Sequence, residues 1–373
     1  MAESTRLVDV VQDRIDTFLD GQRPHLAQIA SDLDPFARFS ADLLQGGKRF
    51  RALFCYWGWQ SVAAIESSFD PLAAGPDKAE LASVMTASAG LEFFHAAALV
   101  HDDIMDNSDT RRGLPAAHRR FEGLHRDGAW LSDPESFGTS AALLFGDLLL
   151  SWSDELVSEA FDSLPSRDAA RAARREFNRM RTEVTAGQYL DILEENAWGS
   201  VPDDQLLSRA QRVIVYKSAK YSVEAPLTIG AAMAGGQAAH LDSLRRFGLP
   251  LGIAYQLRDD LLGVFGDPSI TGKPAGDDLR EGKRTVLIAT ARASLPGNAV
   301  RLLDELLGDP ELDDDQIAIL QATIRESGAV DALEESISDQ VSRAKDAIEN
   351  APLAKSARSQ LSQLADTVTA RSA

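Results

Sequence analysis

Asp102, Asp103, Asp106 and Asp109 fall together in the stretch HDDIMDNSDTRRG, residues 101–113, and Arg111 and Arg112 follow at once. Carboxylates packed this closely repel one another unless cations neutralise them, and two arginines are too few. At about 100° per residue, Asp102 and Asp106 stand one turn apart on one helix face, with Asp103 beside them. The preceding run, LEFFHAAALV, reads as core, so an apolar helix finishes in carboxylates, where its macrodipole disfavours them. A second segment repeats the design: GLPLGIAYQLRDDLLGVFGD carries Asp259 and Asp260 at the end of its apolar run, with Asp267 further on. Two such helices suggest two facing walls of hard oxygen ligands. These suit Mg2+, which takes one or two protein carboxylates and fills its shell with water and phosphate oxygens.

The basic residues form four islands in an otherwise acidic chain. GGKRFR supplies Lys48, Arg49 and Arg51; TRRG supplies Arg111 and Arg112; YKSAK supplies Lys217 and Lys220; TGKPAGDDLREGKRT supplies Lys273, Lys283 and Arg284. Each alone reads as a solvated surface charge. Together, with two of them directly after the carboxylate motifs, they read as anion clamps, because guanidinium groups pair bidentately with phosphate oxygens. Carboxylates, Mg2+ and Lys/Arg in combination are what a diphosphate leaving group requires. There is no Gly-x-x-x-x-Gly-Lys-Ser/Thr loop and no kinase signature, which argues against nucleoside triphosphates. A diphosphate carried on a hydrocarbon suits both the polar and the apolar residues.

The elements that must position these groups read as helices. LASVMTASAGLEFFHAAALVHDD, RDAARAARREFNRMRTEVTAGQYLDILEEN and LDSLRRFGLPLGIAYQLRDDLLGVFGD are long helical runs; several are apolar all round and belong inside a bundle. DQLLSRAQRVIVYKSAKYSVEAPLTIGAAMAGG should kink or break at Pro226, and the tail should form two helices divided near Pro352. No alternating strand pattern with hairpin turns stands out. Loops are expected near residues 70–77, 113–138, 196–204, 266–284 and 307–314. The expectation is a single all-α domain over residues 1–373: an N-terminal helical extension at 1–30, a core at about 35–295 and C-terminal helices at 298–370.

The 373 residues are 44% hydrophobic and 25% charged, ordinary for a globular chain with a large core. Acidic residues outnumber basic ones 57 to 38, giving a formal net charge of -19, which argues against nucleic acid as the main partner. The single cysteine, Cys55, sits in an apolar run and reads as a buried, inert thiol suited to a reducing compartment. The N-terminus lacks a basic region followed by an apolar one, and no run of about 18 uncharged apolar residues is seen, so neither a signal peptide nor a membrane span is expected.

Six stretches, GGKRFR, DDIMDNSDTRRG, GQYLDI, YKSAKYS, YQLRDDLLGVFGD and GKPAGDDLREGKRT, occur in the order and rough spacing of the trans-isoprenyl diphosphate synthases, or polyprenyl synthetases. The chain resembles that family over roughly residues 35–295. The resemblance implies an all-α bundle around a deep central cavity, a cytoplasmic homodimer, and head-to-tail prenyl transfer from an allylic diphosphate (dimethylallyl, geranyl or farnesyl) to isopentenyl diphosphate. It implies three Mg2+ ions per site, with Mn2+ as an alternative. By motif, Asp102, Asp103 and Asp106 resemble the first metal wall and Asp259 and Asp260 the second. Arg111, Lys217 and Lys273 would contact the allylic diphosphate. Lys48, Arg51, His95 and Arg112 would hold isopentenyl diphosphate. Gln188, Asp191 and Gln256 would line the reacting region, with Ser218 near the developing cation and Lys283 a further substrate contact. His95 has a rival reading as a core histidine on an apolar helix.

One departure stands out. The family's second motif is commonly D-D-x-x-D, whereas Gly263 occupies the last position here. Weaker metal binding is expected, with Asp267 acting through water and Gly263→Asp lowering the Mg2+ requirement. Product length should be set beside the helix that leads to Asp102. Relatives stopping at fifteen carbons tend to carry bulky aromatics four and five residues before it, where Ala98 and Ala97 stand. Phe93 and Phe94 lie about one turn deeper, about 6 Å by helical rise, and either would form the floor if it points inward, giving a twenty-carbon product. Alternatives are a shorter or longer polyprenyl diphosphate, a terpene cyclase, a non-catalytic regulatory subunit and a Mg2+-dependent helical phosphohydrolase.

Overall fold

The computed structural model describes residues 2–64, 78–111, 113–267 and 276–370. Helices dominate: α1 (Ala2–Ile29), α2 (Asp34–Leu43), α3 (Phe50–Ala63), α4 (Lys78–Met105), α5 (Ala117–Asp127), α6 (Pro134–Asp162), α7 (Arg167–Ala197), α8 (Asp203–Val213), α9 (Ala225–Met233) and α10 (Ala238–Phe265). The short α11 (Asp277–Glu281) follows, then α12 (Val286–Ser294), α13 (Gly297–Leu306), α14 (Asp314–Glu326), α15 (Ala329–Glu349) and α16 (Lys355–Thr369). The tail therefore divides around Pro352, and the architecture is the all-α bundle the sequence implies.

Helix starts follow local chemistry. The Asp133 side chain accepts from the Ser136 amide at the start of α6, where Pro134 takes a position that needs no amide donor, and Ser166 accepts from the Ala169 amide to open α7. A reciprocal Asp313–Gln316 capping box opens α14.

Three readings are corrected. Residues 113–138 are not one long loop: HRRFEGLHRD is amphipathic enough to form α5, which buries Phe121 against Phe36, Phe39 and Phe145. A minimal antiparallel pair, β1 (Thr110–Arg111) with β2 (Leu114–Pro115), turns at Gly113, whose φ of +74° a glycine adopts without strain. The chain does not break at Pro226. Instead it runs as a π-helix over Ile214–Glu224 and returns to α at Ala225, placing Pro226 in the first turn of α9, where its missing donor is tolerated. The expected loop at 70–77 lies outside the described residues.

Two cores form. In the larger, Leu7, Val11, Ile15 and Phe18 of α1 pack with α3, α4, α6 and α9, so residues 1–30 contribute directly to the bundle. The smaller gathers α8, α11, α12 and α14 around Leu257, Leu261 and Val264 of α10. α10 thus spans both, burying Leu244, Phe247 and Leu251 in the first. Close approach is made by glycine: a Cβ at Gly58 would overlap the Leu227 carbonyl and one at Gly230 the Cys55 carbonyl, so α3 and α9 cross backbone to backbone. Glu80–Met105 is long and apolar enough to cross a membrane by length and composition alone, but it is interrupted by Glu92 and 83% of its apolar window is buried inside the bundle. It is a core helix packed on α6, where the Ser153 hydroxyl donates to the Gly90 carbonyl at 2.7 Å.

Candidate active site

α4 delivers the first wall. Asp102 and Asp103 lie in its last turn and Asp106 just beyond, where the Asp106 amide still donates to the Asp102 carbonyl at 2.8 Å. α7 and the π-helix face this end. Lys217 reaches from the π-helix to Asp102 Oδ1 at 3.1 Å and to Asp191 Oδ2, on α7, at 2.5 Å. Gln188 donates to Asp102 Oδ1 at 2.8 Å. Lys283, carried in just after α11, pairs with Asp106 and lies 3.3 Å from Glu195 and 3.7 Å from Asp191. Asp103 points elsewhere, almost fully buried and clasped by Arg111. The repulsion posed by the motif is therefore met by three cations from three separate segments, two of them lysines far away in sequence.

The electrostatics follow from this crowding. Burial pushes the Asp102 carboxyl up, but Lys217, Lys283 and Arg111 outweigh it and hold it well below the usual range. Asp106 moves the other way, raised by burial and by the ionised Asp102 despite Lys283. Lys217 and Lys283 resist burial because carboxylates surround them, so both stay firmly protonated. Glu195 is pushed up to about 7, by burial first and then by Asp191 and Asp106 against the pull of Lys283.

The second wall sits on α10. Asp259 is exposed, whereas Asp260 is 4% exposed and accepts from Gln256 Nε2 at 2.9 Å through Oδ1. Its Oδ2 is buried without a hydrogen-bond partner among the described residues. Burial, followed by the neighbouring Asp278 and Asp259, drives its carboxyl well above the usual range. Among the described residues no group of three His, Cys, Asp or Glu side chains is arranged as a metal site. A bound diphosphate would have to complete such a shell, as Mg2+ sites of this kind require. The orphaned, charge-crowded oxygen of Asp260 fits a cation, because an unpaired buried carboxylate is costly.

Beside these walls lies a third group. Arg51 donates to the Ser222 hydroxyl at 2.8 Å and stacks over the Tyr221 ring at 4.5 Å. The Tyr221 hydroxyl lies 3.1 Å from His95 Nδ1. His95 is thus a half-buried polar residue bonded across to the π-helix, not a core histidine packed only among apolar groups. Lys48 is exposed, its ammonium 6.0 Å from the Phe50 ring centre. Arg49 leaves the anion-clamp set: it turns into the core, where it pairs with Glu92 at 3.1 Å and donates to Gln12 at 2.6 Å. Arg284 likewise stacks on Trp198 at 5.2 Å, and Lys220 pairs with Glu183 at 2.9 Å. Ser218 is half-buried on the π-helix. Arg112 and Lys273 lie outside the described residues.

The aromatic pair divides. Phe93 is 0% exposed and meets Phe18 and Trp152 edge-on, at 5.3 and 6.2 Å between ring centres, in the interior formed by α1 and α6. Phe94 turns the other way, to Phe177 at 6.2 Å and Tyr221 at 5.7 Å. Phe94, Ala98 and Asp102 are spaced four residues apart, so they share a face of α4 on the side of the polar site. Ala97 shares the buried side with Phe93.

Sequence reasoning missed Glu195, Tyr221 and Asp278. Glu195 was accessible, since it stands one helical turn past Asp191 on the same face. Tyr221 is likewise one turn from Lys217 within a motif already singled out. Asp278 gave no sign, because its neighbour Gly263 belongs to a different helix.

An all-α bundle with carboxylates at the ends of two apolar helices, and lysines set against the first of them, is the arrangement the sequence motifs implied. Comparison agrees. Residues 35–324 match the polyprenyl synthetase family. The geranylgeranyl pyrophosphate synthase of Corynebacterium glutamicum, solved with isoprenyl diphosphate and magnesium, is 38% identical and superposes with a TM-score of 0.89 over 98% of this chain and 99% of that one. A geranylfarnesyl diphosphate synthase of Aeropyrum pernix is 29% identical across 82% of this chain and 84% of its own. A geranylgeranyl diphosphate synthase of Sulfolobus acidocaldarius is 30% identical across 76% and 71%. This chain belongs to the polyprenyl synthetase family and is a trans-prenyltransferase.

Proposed function

We propose that the enzyme joins isopentenyl diphosphate head-to-tail to an allylic diphosphate and makes all-trans geranylgeranyl diphosphate, with farnesyl diphosphate as the last acceptor. The observation carrying this reading is the alignment on α4 of Asp102, Ala98 and Phe94: a charged mouth, an open turn and an aromatic floor on one helix face.

Mg2+, when bound, would neutralise diphosphate charge, held by Asp102 and Asp106 from one wall and Asp259 and Asp260 from the other, and three ions per site is our reading. Lys217, Arg111 and Lys273 would hold the allylic diphosphate, with Lys283 closing over it. Lys48, Arg51, His95 and Arg112 would hold isopentenyl diphosphate, and Tyr221 would orient His95. The allylic carbon–oxygen bond breaks and its electron pair leaves with the diphosphate. The double bond of isopentenyl diphosphate attacks the resulting cation, and the proton then lost passes to the departing diphosphate, so no separate base is required. Gln256 and the Lys217–Ser218 backbone, beside Gln188 and Asp191, would stabilise the cation. The apolar residues below them exclude water, which would otherwise quench it. Exposed Met105, Leu143, Leu144 and Tyr189 on α4, α6 and α7 support a homodimer, and the single buried thiol suits the cytoplasm.

Incubation with Mg2+, isopentenyl diphosphate and farnesyl diphosphate, followed by product chromatography, tests the reading. A twenty-carbon diphosphate is expected. A different length overturns the proposed floor, and simple hydrolysis overturns the proposed reaction.

A further inference from the structure

The second wall lacks its third carboxylate because residue 263 is glycine, yet the space is filled. A Cβ built on Gly263 would lie 2.7 Å from Asp278 Oδ1, and closer still to its Oδ2 and Cγ. The Asp278 carboxylate therefore lies against α10 where a side chain at 263 would begin, one turn beyond Asp259 and next to Asp260. We propose that Asp278, reaching across from α11, replaces the missing aspartate as the third carboxylate of the second metal wall.

The position is built to be held. Leu279, the next residue, is 0% exposed and anchors α11 in the smaller core. Gly276 and Gly282 bracket α11 in left-handed conformations, and Gly282 sits so close to Gly308 that a Cβ there would lie 2.9 Å from the Gly308 Cα. The Asp278 carbonyl also accepts from the Lys283 amide at 3.0 Å. A second, independent observation points to a cation: Asp260 Oδ2, on the same helix three residues before Gly263, is buried with no hydrogen-bond partner among the described residues. Because Mg2+ keeps several waters, Asp278 need only reach its hydration shell. Asp267, the expected substitute, lies exposed past the end of α10. The original expectation for Gly263→Asp therefore reverses: the new side chain would displace Asp278 and weaken binding rather than tighten it.

The inference rests on Asp259 and Asp260 forming a metal wall, and the test separates the two ideas. Calorimetric titration of Mg2+ into the full-length protein with inorganic diphosphate reads binding without turnover, and the Mg2+-dependent rise in melting temperature checks it. Asp278→Asn should weaken Mg2+ binding about tenfold or more, as should Gly263→Asp. The exchange variant Gly263→Asp/Asp278→Ala should recover to within about threefold of the starting protein, since it returns the third carboxylate to α10. Unchanged binding in Asp278→Asn, with Asp260→Asn strongly weakened, overturns the role of Asp278 alone. Unchanged binding in both variants overturns the metal wall itself. Melting without Mg2+ confirms that each variant folds.

Discussion

Lys217 Nζ stands 3.1 Å from Asp102 Oδ1 and 2.5 Å from Asp191 Oδ2, so one ammonium ties together α4, α7 and the π-helix. Replacing Lys217 with alanine leaves two partly buried carboxylates facing each other. A loss of about 1–3 kcal/mol in stability is expected, below the range for fully buried pairs because the groups retain some exposure. kcat should fall about a hundredfold or more, as for loss of a group that stabilises the departing charge. Lys217→Arg should restore most of the melting temperature but little of kcat. Full recovery of both would show that charge alone matters at this position.

Phe94 and Phe93 should part company when each is cut to alanine. Phe94→Ala should shift products beyond twenty carbons, and Ala98→Phe should shorten them. Phe93→Ala should leave product length alone and cost about 3–5 kcal/mol, because its ring fills the interior between Phe18 and Trp152. Product chromatography and denaturant melts decide both; longer products from Phe93→Ala would move the floor to the other face of α4.

Tyr221→Phe removes one hydroxyl and should disturb His95 more than it disturbs the bundle. The expected result is a KM for isopentenyl diphosphate raised about fivefold, in keeping with about 1 kcal/mol for one hydrogen bond. kcat should be nearly unchanged. An equal fall in kcat would place Tyr221 at the reacting carbons instead.

Glu195 sets a pH dependence. Its carboxyl titrates near 7 in the folded protein, against 4.5 as its ordinary value, so the folded state holds the proton more tightly than the unfolded state. Stability from this group is then greatest below about 4.5 and is lost as pH rises through 7. In metal-free buffer the melting temperature should decline across that interval, and Glu195→Gln should flatten the decline. A variant with the parent's slope would assign the trend to other groups.

Much of this site could be read directly from the chain. The i, i+4 spacing of Asp102 and Asp106 placed both on one face at the end of an apolar run, and the basic islands predicted cations nearby. Periodicity could not say which way α4 is rotated. Phe93 and Phe94 differ by about 100° about the helix axis, and only the packing of α1, α6 and α7 tells interior from site. The π-helix was equally hidden, since eleven residues of altered register inside a longer helical run leave too little apolar pattern to tell one helical period from another. Asp278 illustrates a third limit. Its meaning depends on an absent side chain at Gly263, and that relation exists only once two helices are packed.

With Phe94 as the proposed floor, the shared face of Asp102, Ala98 and Phe94 would also make α4 a ruler with coarse graduations. A bulky residue shifted by one position swings about 100° away from the site, whereas one shifted by four slides along it by about 6 Å. Stops at intermediate depths are therefore hard to reach by substitution on this helix. Single exchanges at 98 or 94 should change the product by whole steps of tail length rather than by fractions of one.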